Sequence, residues 1–146
     1  MQTNVSQECL AVAQAKFKPV ARALDRLAQD LEKEHGRSAV LEQRGPMQRI
    51  AQNAYVVRYS LRHPDEAQLS LKFTVVGDNA DRILLQGHER SGPRDISANP
   101  GQVDQRVYRL ERTDEIKEAV QEKISAHFRN RVVADLLNRA GTGWRE

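Results

Sequence analysis

QNAYVVRYSLRHPDEAQLSLKFTVVG, residues 52 to 77, decides the fold. In its first half Tyr55, Val57, Tyr59 and Leu61 alternate with Val56, Arg58, Ser60 and Arg62. A period of two belongs to a strand with one face buried. In its second half Leu69, Leu71, Phe73 and Val75 alternate with Ser70, Lys72 and Thr74. Between the halves, His63-Pro64-Asp65-Glu66 supplies turn chemistry. The spacing predicts two antiparallel strands joined by a short turn.

Downstream, Gly77-Asp78-Asn79 turns the chain again, and RILLQGHER (82–90) reads as a third strand with Ile83 and Leu85 inward. SGPRDISANPGQ (91–102) is a long loop rich in Gly, Pro, Ser and Asn. VDQRVYRLER (103–112) is a fourth strand whose facing stays open, because Val103 and Val107 share one face and Tyr108 and Leu110 the other. Residues 49–112 are therefore expected to form a four-stranded antiparallel meander. Upstream, residues 37–48 contain Gly45-Pro46 and read as a connection.

Helical periodicity flanks the sheet. Leu10, Ala13, Phe17, Val20, Leu24, Leu27 and Leu31 recur at spacings of three and four, an apolar stripe on a long N-terminal helix within residues 1–36. Ser6 is the expected N-cap and Gly36 the stop. Pro19 lacks an amide donor and crowds the preceding turn, so a kink is expected near it. Thr113-Asp114-Glu115 opens a second helix, 113–140, with a capping residue and two acids at the positive end of its dipole. Its stripe is Ile116, Val120, Ile124, Phe128, Val132 and Leu136, and residues 141–146 read as a tail. Both helices must cover the apolar sheet face. The expected architecture is a two-layer α+β sandwich with the polar sheet face open to water.

At 146 residues, 39% hydrophobic and 29% charged, the chain fits one domain and needs neither disulfide nor metal to fold. Cys9, the lone cysteine, implies a reducing compartment, and its place beside the apolar stripe implies an inert, at least half-buried thiol. The N-terminal residues have no continuous apolar core of the kind a secretory leader needs. No run approaches the roughly 18 to 20 apolar residues that span a bilayer. The expectation is a cytoplasmic protein without membrane contact. The four histidines, His35, His63, His88 and His127, stand at no metal-ligand spacing, and no fingerprint of a phosphate loop or nucleophile elbow occurs. No metal or cofactor is expected, and no catalytic residue stands out.

Net charge is +3, and the whole excess lies within residues 37–112, where twelve basic residues meet nine acidic ones. Arg58, Arg62 and Lys72 fall on the polar side of their strands. His88 and Arg90 join them if the pairing is regular, as does Arg106 or Arg109. Arginine forks suit carboxylates and phosphates, so Arg58, Arg62, Lys72, His88 and Arg90 are the candidate partner-binding residues. Tyr55, Tyr59 and Phe73 point to the other face, which removes the aromatics that would stack on bases. In Gly87-His88-Glu89-Arg90, consecutive side chains point to opposite faces and do not converge on one site.

The expected function is therefore a non-enzymatic interaction module that binds a protein partner. The first helical stripe, about 32 Å long at 1.5 Å per residue, outreaches a narrow sheet, which also suggests a homodimer. Two alternatives stand beside this: a nucleic-acid-associated accessory protein using the Arg-bearing sheet face, and an enzyme with a pocket between helix and sheet.

Overall fold

The computed structural model describes residues 2–64, 68–90 and 104–143. The expected loop at 91–102, Asp65 and Glu66 of the first turn, and residues 144–146 lie outside them. Helix α1 (Gln2–His35) leads through a short 3-10 turn, Gly36–Ser38, into six strands and helix α2 (Thr113–Gly143). The strands are β1 (Val40–Gln43), β2 (Gln48–Ala51), β3 (Ala54–Arg62), β4 (Gln68–Val76), β5 (Arg82–Arg90) and β6 (Asp104–Arg109). The fold is α+β.

All strand pairs are antiparallel. The order is β1-β3-β4-β5-β6, with β2 also paired to β3. The expected meander is therefore present as β3 to β6, but the sheet has six strands rather than four. The extra two come from residues assigned to a connection. β1 and β2 lie end to end along β3, opposite Tyr59–Arg62 and Ala54–Val56. Gly45, at φ 83°, and Pro46 separate them. Proline cannot donate to a ladder, so the two residues interrupt an edge strand without ending it. Arg44 keeps the register across the break by donating its amide to the Arg58 carbonyl at 2.7 Å.

α1 is unbroken through Pro19. It begins at Gln2, ahead of the expected cap at Ser6, because nothing between Thr3 and Gln7 is a helix breaker. Ala13, Phe17, Val20, Leu24, Leu27 and Leu31 are buried, and Leu10 packs against the same core. The stripe thus keeps its phase past the proline. From the sheet, Tyr55, Val57, Tyr59, Leu61, Leu69, Leu71, Phe73, Val75, Ile83 and Leu85 meet it. Phe73 is fully buried, its ring edge-on to Phe17 and Tyr59 at centroid distances of 5.7 and 5.6 Å.

α2 contributes Ile116, Val120 and Ile124 to the core. Its expected stripe then ends: Phe128 is half-buried, while Val132 and Leu136 are 59% and 57% exposed. His127 is buried in their place. β6 turns Tyr108 inward, opposite Ile83, and Val107 outward, which settles its facing. Cys9 is exposed rather than buried, one helical step off the stripe.

Candidate functional site

The strand registers lay out the face of the sheet opposite the helices as rows. One row crosses four strands as Arg58, Lys72, Gln86 and Gln105. Gln86 donates to Gln105 at 3.3 Å. Beside it runs Ser60, Ser70 and His88. On the other flank lie Val56, Thr74, Leu84 and Val107, followed by Val76, Arg82 and Arg109. This face is not uniformly solvated, because Val56, Ser60 and Thr74 are buried among their strand neighbours.

Of the sequence candidates, Arg58, Lys72 and His88 fall within this array. Arg62 lies at its end, where its guanidinium meets Glu42 at 2.6 Å, and Arg44 meets the same carboxylate at 2.9 Å. Arg90 stands opposite Gln68 in register, but its side chain lies outside the described ones. Arg109 joins the face. Arg106 belongs to the helix side, its guanidinium 5.6 Å from the Tyr108 ring centre.

Two cross-strand neighbours on this face carry like charge, Arg58 opposite Lys72 and Arg82 opposite Arg109. Such pairs are unfavourable by themselves. Arg109 has Glu111 at 3.8 Å. Among the described residues, no carboxylate pairs with Arg58 or Lys72. The central row therefore presents two cations and two amides rich in hydrogen-bond donors.

The second polar assembly was not anticipated; its two histidines are buried, Glu89 is half-buried and Asn130 lies at the surface. Beneath α2, the helix-covered face ends in His63, just after β3, and Glu89, near the end of β5. His63 Nδ1 is 2.8 Å from the Ser38 carbonyl, and its Nε2 is 2.8 Å from His127 Nε2. His127 Nδ1 lies 3.7 Å from Glu89 Oε2, an ion-pair distance, and has no hydrogen-bond partner. Asn130 donates to both Glu89 oxygens at 3.1 and 3.2 Å. His127 and then Asn130 hold the Glu89 carboxyl below its ordinary value, against burial, which raises it. Phe128 closes the cluster, stacked on His35 at 4.7 Å and edge-on to His63 at 5.7 Å.

Each member of this cluster was legible by phase. His63 continues the inward series Tyr55, Val57, Tyr59, Leu61, and Glu89 continues Ile83, Leu85, Gly87. His127 follows Ile124 by three on the α2 stripe. Separations along the chain hid the grouping, because only the meander and the parallel run of the helices bring the residues together.

The cluster does not have metal-site geometry. Two imidazoles on one zinc ion, at about 2.0 to 2.1 Å and the tetrahedral angle, hold their nitrogens about 3.3 Å apart. The observed 2.8 Å is a hydrogen bond, and Glu89 approaches the opposite nitrogen of His127. Among the described residues, no three His, Cys, Asp or Glu side chains are placed to share a metal ion. A groove of about 590 Å³ lies between α1 and α2, lined by Leu27, Leu31, Glu34, His35, Ile124 and Phe128 among others. His127, 1% exposed, is out of reach of a substrate in that groove. No helix among the described residues is long and apolar enough to cross a membrane. Comparison with protein-family models, curated proteins and solved structures finds no match to this chain.

Proposed function

We propose that this protein is a non-enzymatic interaction module that binds an acidic protein surface with the Arg58–Lys72 face of its sheet. The observation that carries the proposal is the register of Arg58 against Lys72, with no carboxylate among the described residues paired to either. Like charges held opposite one another cost stability, and carboxylates from a partner reverse the sign of that interaction. Gln86, Gln105 and Ser70 around them add neutral hydrogen-bonding groups.

A protein partner fits better than a nucleic acid. Leu84 and the 57% exposed Val107 lie one row from the cations, and basic groups beside apolar ones match protein interfaces. The strand aromatics Tyr55, Tyr59, Phe73 and Tyr108 all lie on the helix side, so this face offers no stacking platform for bases. Titrating the protein with poly-glutamate and with duplex DNA, each across a salt series, tests the choice. Tighter binding to poly-glutamate supports the acidic protein surface. Preferential DNA binding with a steep salt slope supports a phosphate backbone instead.

A further inference from the structure

The buried imidazoles carry a proton count that the geometry fixes. A carbonyl only accepts, so His63 must hold a hydrogen on Nδ1 to bond the Ser38 oxygen at 2.8 Å. One hydrogen, and only one, fits between the two Nε2 atoms 2.8 Å apart. With both rings neutral, His127 Nδ1 is a bare lone pair, buried and aimed at the Glu89 carboxylate 3.7 Å away. Adding one proton there turns repulsion into an ion pair and satisfies every nitrogen in the chain from Ser38 to Glu89. A second proton has only the Nε2–Nε2 contact to enter. Two N–H groups would then face each other, and the bond between β3 and α2 breaks.

The position of this bond gives it a consequence. Ile116, Val120 and Ile124 anchor the first half of α2 in the core. Beyond Phe128 no described side chain is buried, and Val132, Val133 and Leu136 are each more than half exposed. Among the described residues, the packed hold on the distal half of the helix therefore passes through His127 and Phe128, with polar interactions from Asn130 and Arg131 beside them.

We propose that the His63–His127 pair is an acid-sensitive latch, closed with one added proton and opened by a second, that frees α2 from about His127 onward. Among the described residues, the groups facing the pair are Glu89 from β5, Asn130 from α2, the Ser38 carbonyl after α1, and His35 across the Phe128 ring. His88 adds positive potential at Glu89 from the same strand, and Glu34 lies 3.6 Å from His35. Opening would also break the His35–Phe128 stack and widen the groove between the helices. It is independent of the partner-binding face.

The full chain, labelled with nitrogen-15 in its histidines, tests the latch between pH 7.5 and 5.0. Near neutral pH, His63 should carry its hydrogen on Nδ1, with a shared hydrogen between the two Nε2 atoms. As both rings become charged, amide exchange protection over residues 127–133 should fall roughly tenfold relative to 116–120, after correction for intrinsic exchange, as expected for one lost buried hydrogen bond. In His127→Gln the side-chain amide donates to a neutral His63 and can turn its oxygen toward a protonated one, so the bond survives either state and protection should no longer depend on pH. Undiminished protection in the wild type after both rings charge would overturn the latch. So would an identical loss in His127→Gln, and if that variant does not fold, the wild-type spectra and exchange decide alone.

Discussion

Arg58 on β3 stands directly across from Lys72 on β4, two cations in one cross-strand pair with no carboxylate among the described residues paired to either. Their energetics can be separated from the binding role proposed for them. Arg58→Glu or Lys72→Glu alone creates an opposite-charge pair and should stabilise the fold by about 0.2 to 1 kcal/mol. The double variant restores like charges and should return close to wild-type stability, because exposed charges contribute little. Urea denaturation of all four proteins checks the cycle. Unfolding of the double variant would mean that the face is covered rather than presented.

The core prediction concerns Phe73, fully buried between Phe17 and Tyr59. Phe73→Ala removes both edge contacts and leaves a cavity, at a cost of about 3 to 5 kcal/mol. A loss below about 1 kcal/mol in chemical denaturation would place the residue outside the core.

Glu89 makes a prediction at the acid end. Its carboxyl sits below the ordinary 4.5, held by His127 and then Asn130. A carboxyl depressed by folding stabilises the protein fully above its unfolded value, and that stability is lost as pH falls through the folded value. Glu89→Gln should therefore flatten the decline in stability below about pH 4.5, measured by urea unfolding in that range. An unchanged slope would show that the Glu89–His127 contact carries no free energy.

Tyr59 makes the corresponding prediction in alkali. Burial, then Asp25, pushes its hydroxyl up to about 12 from 10.0. A raised tyrosine favours folding below its unfolded value, and the benefit is lost as pH rises between the two. Tyr59→Phe should remove that part of the alkaline decline. Ultraviolet titration of the wild type should show a phenol ionising near 12.

The meander and both helices were legible because each buries one face, and a buried face writes its period into the sequence. Tyr55 to Leu61 gives a period of two, and Ala13 to Leu31 one of 3.6. β1 and β2 were not legible, because four-residue edge strands around Gly45-Pro46 are too short for alternation to stand out against turn chemistry. The exposure of Val132 and Leu136 on α2 was missed for a different reason. Val132 and Leu136 continue the stripe in sequence, but periodicity does not reveal where the sheet beneath it ends. Among the candidate residues, Arg58 and Lys72 were placed by strand phase alone. The His63–His127 pair needed the register that joins residues 64 positions apart.

The most direct test of the proposed function is the affinity of the Arg58→Glu, Lys72→Glu double variant for poly-glutamate, measured by calorimetry against the wild type at physiological salt. Loss of two cations from the binding row should weaken binding at least about tenfold, at roughly 1 kcal/mol or more per charge-assisted contact, while the far-ultraviolet spectrum stays unchanged. Equal affinity in the folded double variant would contradict the assignment of this face as the site that takes an acidic partner.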